Sequence, residues 1–158
     1  CRAGTATTYY FGNDETQLDK YAWYEENSNS KFQKSGLKLP NAWGLYDMLG
    51  NVCEWTLDHY EENPFSNQSD SNNYIFTAAN KARYPKALKG GGFNDAAGEL
   101  RCANRFKSDA SWNRRDPQIP KSKWWLTDAA AVGFRIIRPL EQPDAKQVNE
   151  FFKQYLGK

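Results

Sequence analysis

The sequence predicts a loop-rich domain of several short strands, closed by one carboxy-terminal helix. Aromatic residues make up 15% of the 158 positions, yet the mean hydropathy is −0.88, so the core should be small, aromatic and surrounded by polar loop. Glycine and asparagine concentrate in the stretch NAWGLYDMLGNVCEW, residues 41–55, as in chains that must fix an irregular backbone. No sustained helical period appears before Pro143. The length suits one domain. A net charge of +2 is too small to argue for nucleic acid or a membrane surface, and no apolar run approaches the roughly 18 residues a bilayer span needs.

Taken in order, Thr5–Phe11 has the threonine and aromatic density of a strand ending at Gly12-Asn13-Asp14. Gln17–Glu25 fits neither the helical nor the strand period, and Asn27–Gly36 reads as loop. Pro40 biases Leu39 toward an extended backbone. Within the central stretch, Gly44 and the Gly50-Asn51 pair are turn positions, and Val52–Leu57 alternates as a strand. Asp58–Pro85 is polar, with the Asn/Ser-rich run SNQSDSNN, and is expected to be surface loop with at most a short helix over Tyr74–Arg83. The one histidine, His59, opens this loop and is expected to be unremarkable.

Ala87–Phe93 reads as a strand running into Gly90-Gly91-Gly92, and Val132–Ile137 as a buried strand ending at Pro139. In the tail, Val148, Phe151, Phe152, Tyr155 and Leu156 fall on one helical face, with Pro143 before it and Gly157 after it.

Asp47 and Glu54 flank the central bend. Two carboxylates with backbone carbonyls between them suit a hard cation such as Ca²⁺, although the spacing is not that of an EF-hand. Solvated or salt-bridged carboxylates are the competing reading.

The segments NAWGLYDMLGNVCEW, LKGGGF (88–93), RCANR (101–105) and VGFRIIRP (132–139) occur in order, after an opening CRAGT, YYFGND and YAWY. Together they resemble the sulfatase-modifying-factor family, whose founding members are the formylglycine-generating enzymes. The resemblance covers about Cys1 to Arg138. It implies a mixed α+β, C-type-lectin-like fold over residues 1–140, with residues 141–158 added as an amphipathic helix. It also implies that the chain starts inside the family domain, whose absent amino-terminal half would pack against it.

What the resemblance implies about chemistry is mixed. The family's enzymes oxidise a substrate cysteine to formylglycine with molecular oxygen, using copper held by two cysteines that begin three residues after a G-G-S serine. Here the serine position is Gly92 and the first cysteine position is Asp95. The following span is shorter than in the enzymes, so the second cysteine has no counterpart. A carboxylate is a hard ligand and does not form the dithiolate that holds Cu(I). Cys53 stands where the family has a tryptophan and Ala131 where it has an asparagine, while Arg105 is retained. No copper is therefore expected, and one histidine excludes the multi-histidine iron site of the related sulfoxide synthases.

The family's structural Ca²⁺ is held by the side chains at Asp47 and Glu54 and the carbonyls at Gly50 and Val52, and all four positions carry competent groups. A second cation position, after the segment matching Tyr21–Trp23, has lost an asparagine to Ala22 and is not expected to be filled. The resemblance pairs Cys1 with Cys102 and leaves Cys53 as a buried thiol. In the chain-entropy model a bridge closing so long a loop constrains the unfolded state by about 4 to 5 kcal/mol. The competing reading takes Cys1 as a lipid-bearing first residue or a mere chain boundary.

Ser108–Thr127 is an insertion relative to the enzymes and carries Trp112, Trp124 and Trp125 beside Arg114, Arg115, Lys121 and Lys123. It either forms an aromatic, cationic lip on the groove or packs onto the body. The candidate groove residues are thus Gly92, Asp95, Arg105, Trp112, Trp124 and Trp125. The sequence favours a non-catalytic, Ca²⁺-stabilised binding module for a peptide, glycan or protein, in a secreted or periplasmic setting. The alternatives are an active formylglycine-generating oxidase, whose thiols come from elsewhere, and a purely structural subunit.

Overall fold

The computed structural model describes residues 1–64, 84–115, 125–126 and 129–153. Its strands are β1 (Cys53–His59), β2 (Lys86–Lys89), β3 (Phe106–Lys107), β4 (Arg114–Arg115), β5 (Trp125–Leu126) and β6 (Val132–Gly133), followed by the helix α1 (Ala145–Phe151). The main sheet runs β3-β2-β1-β6, and β4 pairs with β5 in a separate ribbon. β1 and β2 are antiparallel, with Glu54 opposite Lys89 and Trp55 opposite Leu88, and the register shifts between Trp55 and His59. β6 joins parallel, placing Cys53 opposite Val132 and Glu54 opposite Gly133.

The core lies beside the sheet, among the loops. Tyr9, Tyr10, Leu18, Ala22, Tyr24, Leu49, Leu100 and Cys102 form one buried cluster. Phe11 stacks between Tyr9 and Tyr21, at centroid distances of 5.1 and 4.1 Å. The Tyr10 hydroxyl, held deep in this cluster, donates to the Leu39 carbonyl at 2.8 Å. Cys1 and Cys102 are joined by a disulfide that ties the opening turn to this core.

Several expectations shift. Thr5–Phe11 is not a strand: Tyr9 bridges only to Gly12, while Thr5 and Thr7 hydroxyls donate to the carbonyls of Arg2 and Tyr9. Local side-chain bonds of this kind offer the backbone an alternative to a sheet ladder. The first part of the ambiguous segment lies in a 3₁₀ helix, Glu15–Lys20, capped by the Asp14 carboxylate, and beyond it Trp23 bridges to Gly50. The buried strand expected over Val132–Ile137 is reduced to its first two residues, and Phe134, Ile136 and Ile137 are 74%, 83% and 83% exposed. Among the described residues β6 sits at the sheet edge with β1 as its one neighbour, and the apolar run beyond it is unpaired there. His59 ends β1 rather than opening the loop.

The carboxy-terminal helix is present over Ala145–Phe151 among the described residues. Asp144 and Gln147 form a reciprocal capping box at its start. Phe151 and Phe152 are 40% and 42% exposed. The helix expected over Tyr74–Arg83 and the Tyr155 and Leu156 end of the apolar stripe fall outside the described residues.

The bend at Gly50-Asn51 joins these parts. Gly50 adopts φ +71°, and a Cβ built there would lie 2.2 Å from the Trp23 carbonyl oxygen. Replacing Gly50 with alanine is therefore expected to lower the unfolding free energy by more than about 2 kcal/mol, through both the left-handed backbone and the clash. Gly98→Ala, where a Cβ meets nothing within 4 Å, should stay within about 0.5 kcal/mol of the parent in the same urea titration.

Candidate functional site

A cavity of about 270 Å³ opens between the sheet and the segment that precedes β6. Its walls include Cys53, Leu88, Asn94, Asp95, Phe106, Lys107, Trp112 and Ala129 to Val132. β1 and β2 supply Cys53 and Leu88, and β3 supplies Phe106 and Lys107. The turn after Gly90 and Gly91, both at positive φ, delivers Asn94 and Asp95.

Of the groove residues expected from sequence, Asp95 and Trp112 are brought together here. The Asp95 carboxylate accepts the Gly92 N–H at 2.7 Å, which fixes one of its oxygens. Gly92 itself lies behind this wall. A Cβ at Gly92 would stand 3.0 Å from the Ala131 Cβ, so the residue expected to have lost a serine and the one expected to have lost an asparagine face each other. Trp112 meets Trp55 edge-to-face at 6.2 Å.

Arg105 is placed elsewhere. It lines a second cavity of about 460 Å³ with Tyr60, Glu61, Glu62, Asn63 and Pro64, and its Nη2 donates to the His59 carbonyl at 3.3 Å. Trp124 falls outside the described residues, and for Trp125 only the backbone, in β5, is described. Asn94, Phe106 and Lys107 were not singled out from the sequence. Phe106 follows Arg105 directly, and strand alternation there turns it to the face opposite Arg105, whereas no such signal marks Lys107.

The Cys53 thiol is buried behind the same wall, where it donates to the Lys89 carbonyl at 3.3 Å. Burial pushes this thiol up from 9.0 to about 11. The Lys89 ammonium, desolvated between the carbonyls of Cys102 and Asn104, is pushed down to about 8.

The expected cation ligands meet in a third cavity, of about 370 Å³. Asp47, Val52 and Glu54 line it together with Ser35, Tyr46, Asn51, Phe134, Arg135 and Ile136, while Gly50 is not on its wall. Asp47 accepts the Gly36 N–H on Oδ2, and its Oδ1 is buried with no hydrogen-bond partner. An orphaned carboxylate oxygen beside a second carboxylate and nearby carbonyls fits a hard divalent cation. Among the described residues no group of three or more His, Cys, Asp or Glu converges, so carbonyls must supply much of any coordination sphere. Arg135, missed in the sequence, stands at this site. Its Nη2 lies 2.7 Å from Glu54 Oε1 and its Nε 3.0 Å from Oε2. The signal was a lone cation between Phe134 and Ile136 in an otherwise apolar run.

No curated protein matches the chain. Among solved structures, the chain is similar to variable protein 1 of Treponema denticola, at 26% identity and a TM-score of 0.60, over 84% of this chain and 41% of that one. It is also similar in fold to PvdO from Pseudomonas aeruginosa, at 24% identity and a TM-score of 0.58, over 84% of this chain and 46% of that one. The chain thus spans less than half the length of either. The profile of the Sulfatase-modifying factor enzyme 1-like domain matches residues 1–119. With its order of short strands, its loop-built core and this match over most of its length, the chain belongs to the sulfatase-modifying-factor family.

Proposed function

We propose that this chain is a non-catalytic member of its family, a binding module that receives one residue of a peptide, glycan or protein partner in the Asp95–Trp112 cavity. The observation that carries the proposal is the fate of the three sulfurs. Two are spent in the Cys1–Cys102 disulfide, and the third, Cys53, is a protonated thiol bonded to a carbonyl. A Cu(I) dithiolate needs two free, deprotonated sulfurs in one place. The cavity instead presents a carboxylate, an amide, a cation and an indole, which are recognition groups.

At about 270 Å³ the cavity is slightly below the usual range for small-molecule pockets and suits a single sugar ring or side chain. Trp112 supplies an apolar face and Asp95 a directed acceptor. The disulfide supports an oxidising setting, secreted or periplasmic. The exposed run after β6 supports docking of a further segment of the same fold along that edge. A structural Ca²⁺ held by Asp47, Val52 and Glu54, without Gly50, which is off the cavity wall, belongs to the same proposal and is supported by the orphaned Asp47 oxygen. Among the described residues no helix is long and apolar enough to cross a bilayer.

Screening the chain on combined glycan and peptide arrays tests this reading. Trp112→Ala and Asp95→Asn are expected to weaken any specific hit by about tenfold or more while leaving the melting temperature close to the parent. Oxygen uptake and aldehyde formation on a cysteine peptide in the presence of copper would instead select the oxidase alternative. Specific hits untouched by both substitutions would remove the cavity from the account.

The Cys53 thiol gives a pH signature. Its folded pKa is raised above the unfolded value, so its contribution to stability is fully present below about pH 9 and is lost as pH rises through about 11. The stability difference between the parent and Cys53→Ala should therefore shrink between pH 9 and 11 in chemical denaturation. A difference that stays constant across that window would place the thiol in a polar environment.

A further inference from the structure

We propose that Arg135 is the resident cation of the Asp47–Glu54 cavity, and that Ca²⁺ enters this cavity by exchange with the Arg135 guanidinium rather than beside it. The inference rests on the reading that this cavity takes Ca²⁺, and it concerns what the chain's own arginine does there.

The geometry is specific. One guanidinium fork spans both oxygens of Glu54, at 2.7 and 3.0 Å. The same Nη2 donates to the carbonyls of Tyr46 at 3.0 Å and of Asp47 at 3.3 Å. Four oxygens at the bend therefore converge on one planar cation, an arrangement to which the fixed donor geometry of arginine is suited. A calcium ion takes six to eight oxygens at about 2.3 to 2.6 Å. It cannot engage the Glu54 carboxylate while the guanidinium covers both of its oxygens, and two cations packed on one carboxylate repel each other.

The two occupants do not use the same oxygens equally. Arg135 leaves Asp47 Oδ1 buried without a partner, although a carboxylate oxygen out of water carries a desolvation cost unless it is paired. Ca²⁺ can take up that atom together with Glu54. The guanidinium thus offsets the negative charge incompletely and leaves a ligand that favours the divalent ion. This makes exchange feasible in either direction and sets the apparent affinity by competition.

Exchange has a mechanical consequence. β6 holds only Val132 and Gly133 to the sheet, and Phe134 and Ile136 on either side of Arg135 are largely exposed. The fork on Glu54 is what fastens the segment beyond β6 to the bend. Releasing it frees the apolar edge at residues 134–137, so calcium occupancy and availability of that edge are coupled.

Calorimetric Ca²⁺ titration of the whole chain, as parent, Arg135→Gln and Arg135→Lys, tests the exchange. Arg135→Gln is expected to bind Ca²⁺ at least tenfold more tightly than the parent, and Arg135→Lys, which keeps the charge but loses the fork, to lie between them. Hydrogen exchange of the parent should become faster at residues 134–137 when Ca²⁺ is saturating. Equal affinity in parent and variants, or tighter binding by the parent, overturns the exchange and leaves the calcium site standing. Absence of binding in all three proteins overturns the calcium reading itself. Should Arg135→Gln not fold, the ranking of parent against Arg135→Lys and the exchange rates decide the question.

Discussion

The close approach of Gly50 to the Trp23 carbonyl is the constraint on which the other parts rest. The left-handed Gly50-Asn51 bend lets the Asn51 N–H donate to the Trp23 carbonyl at 2.7 Å and the Gly50 N–H to the Gly90 carbonyl at 2.9 Å. The Asn51 side chain then exchanges two hydrogen bonds with the backbone of Gln33, at 2.8 and 3.1 Å. Its carbonyl accepts the Phe93 N–H at 2.8 Å. Segments from four separate parts of the chain are therefore stitched by two residues. In a fold with so little regular secondary structure, such backbone-to-side-chain bonds take the place of sheet ladders and keep buried polar groups paired.

Both cavities take their shape from that bend. Asp47 and Glu54 lie on either side of it, and the pairing of Gly50 with Gly90 sets where the glycine turn begins and hence where Asn94 and Asp95 emerge. The family's chemistry is thus separable from its frame. The frame needs the glycines, Asn51 and the Cys1–Cys102 bridge, all present here. Copper chemistry needs two thiolates at the groove, and the groove carries an acid whose carboxylate is committed to the Gly92 N–H. A chain can keep the first set and lose the second without unfolding, and what remains is a shaped, partly aromatic cavity.

The positions with strong local rules were legible in the sequence. Gly44, Gly50 and Asn51 sit at positive φ as their turn chemistry requires, and the strand read from Val52 to Leu57 is β1, displaced by one or two residues. Less legible were the segments whose fate depends on distant partners. Thr5–Phe11 has strand-like composition, yet ring stacking with Tyr21 and local threonine bonds fix it as turns. The apolar run after Gly133 reads as buried, but burial depends on a neighbour, and none is found at this sheet edge among the described residues. Arg135 was hidden for a related reason: its partner Glu54 lies 81 residues away, and no local pattern marks a contact of that range. In the groove, the separation of Arg105 from Trp112 required coordinates, because residues 7 apart in sequence line different cavities.

The central proposal is that this member of the family lacks the sulfur pair its enzymes use and keeps its groove for recognition. X-ray absorption at the copper edge, recorded on the chain after loading with Cu(I) under reductant too weak to open the Cys1–Cys102 bridge, tests it most directly. The account predicts no stoichiometric copper retained with a two-sulfur shell. One copper per chain in linear coordination by two sulfurs would contradict it.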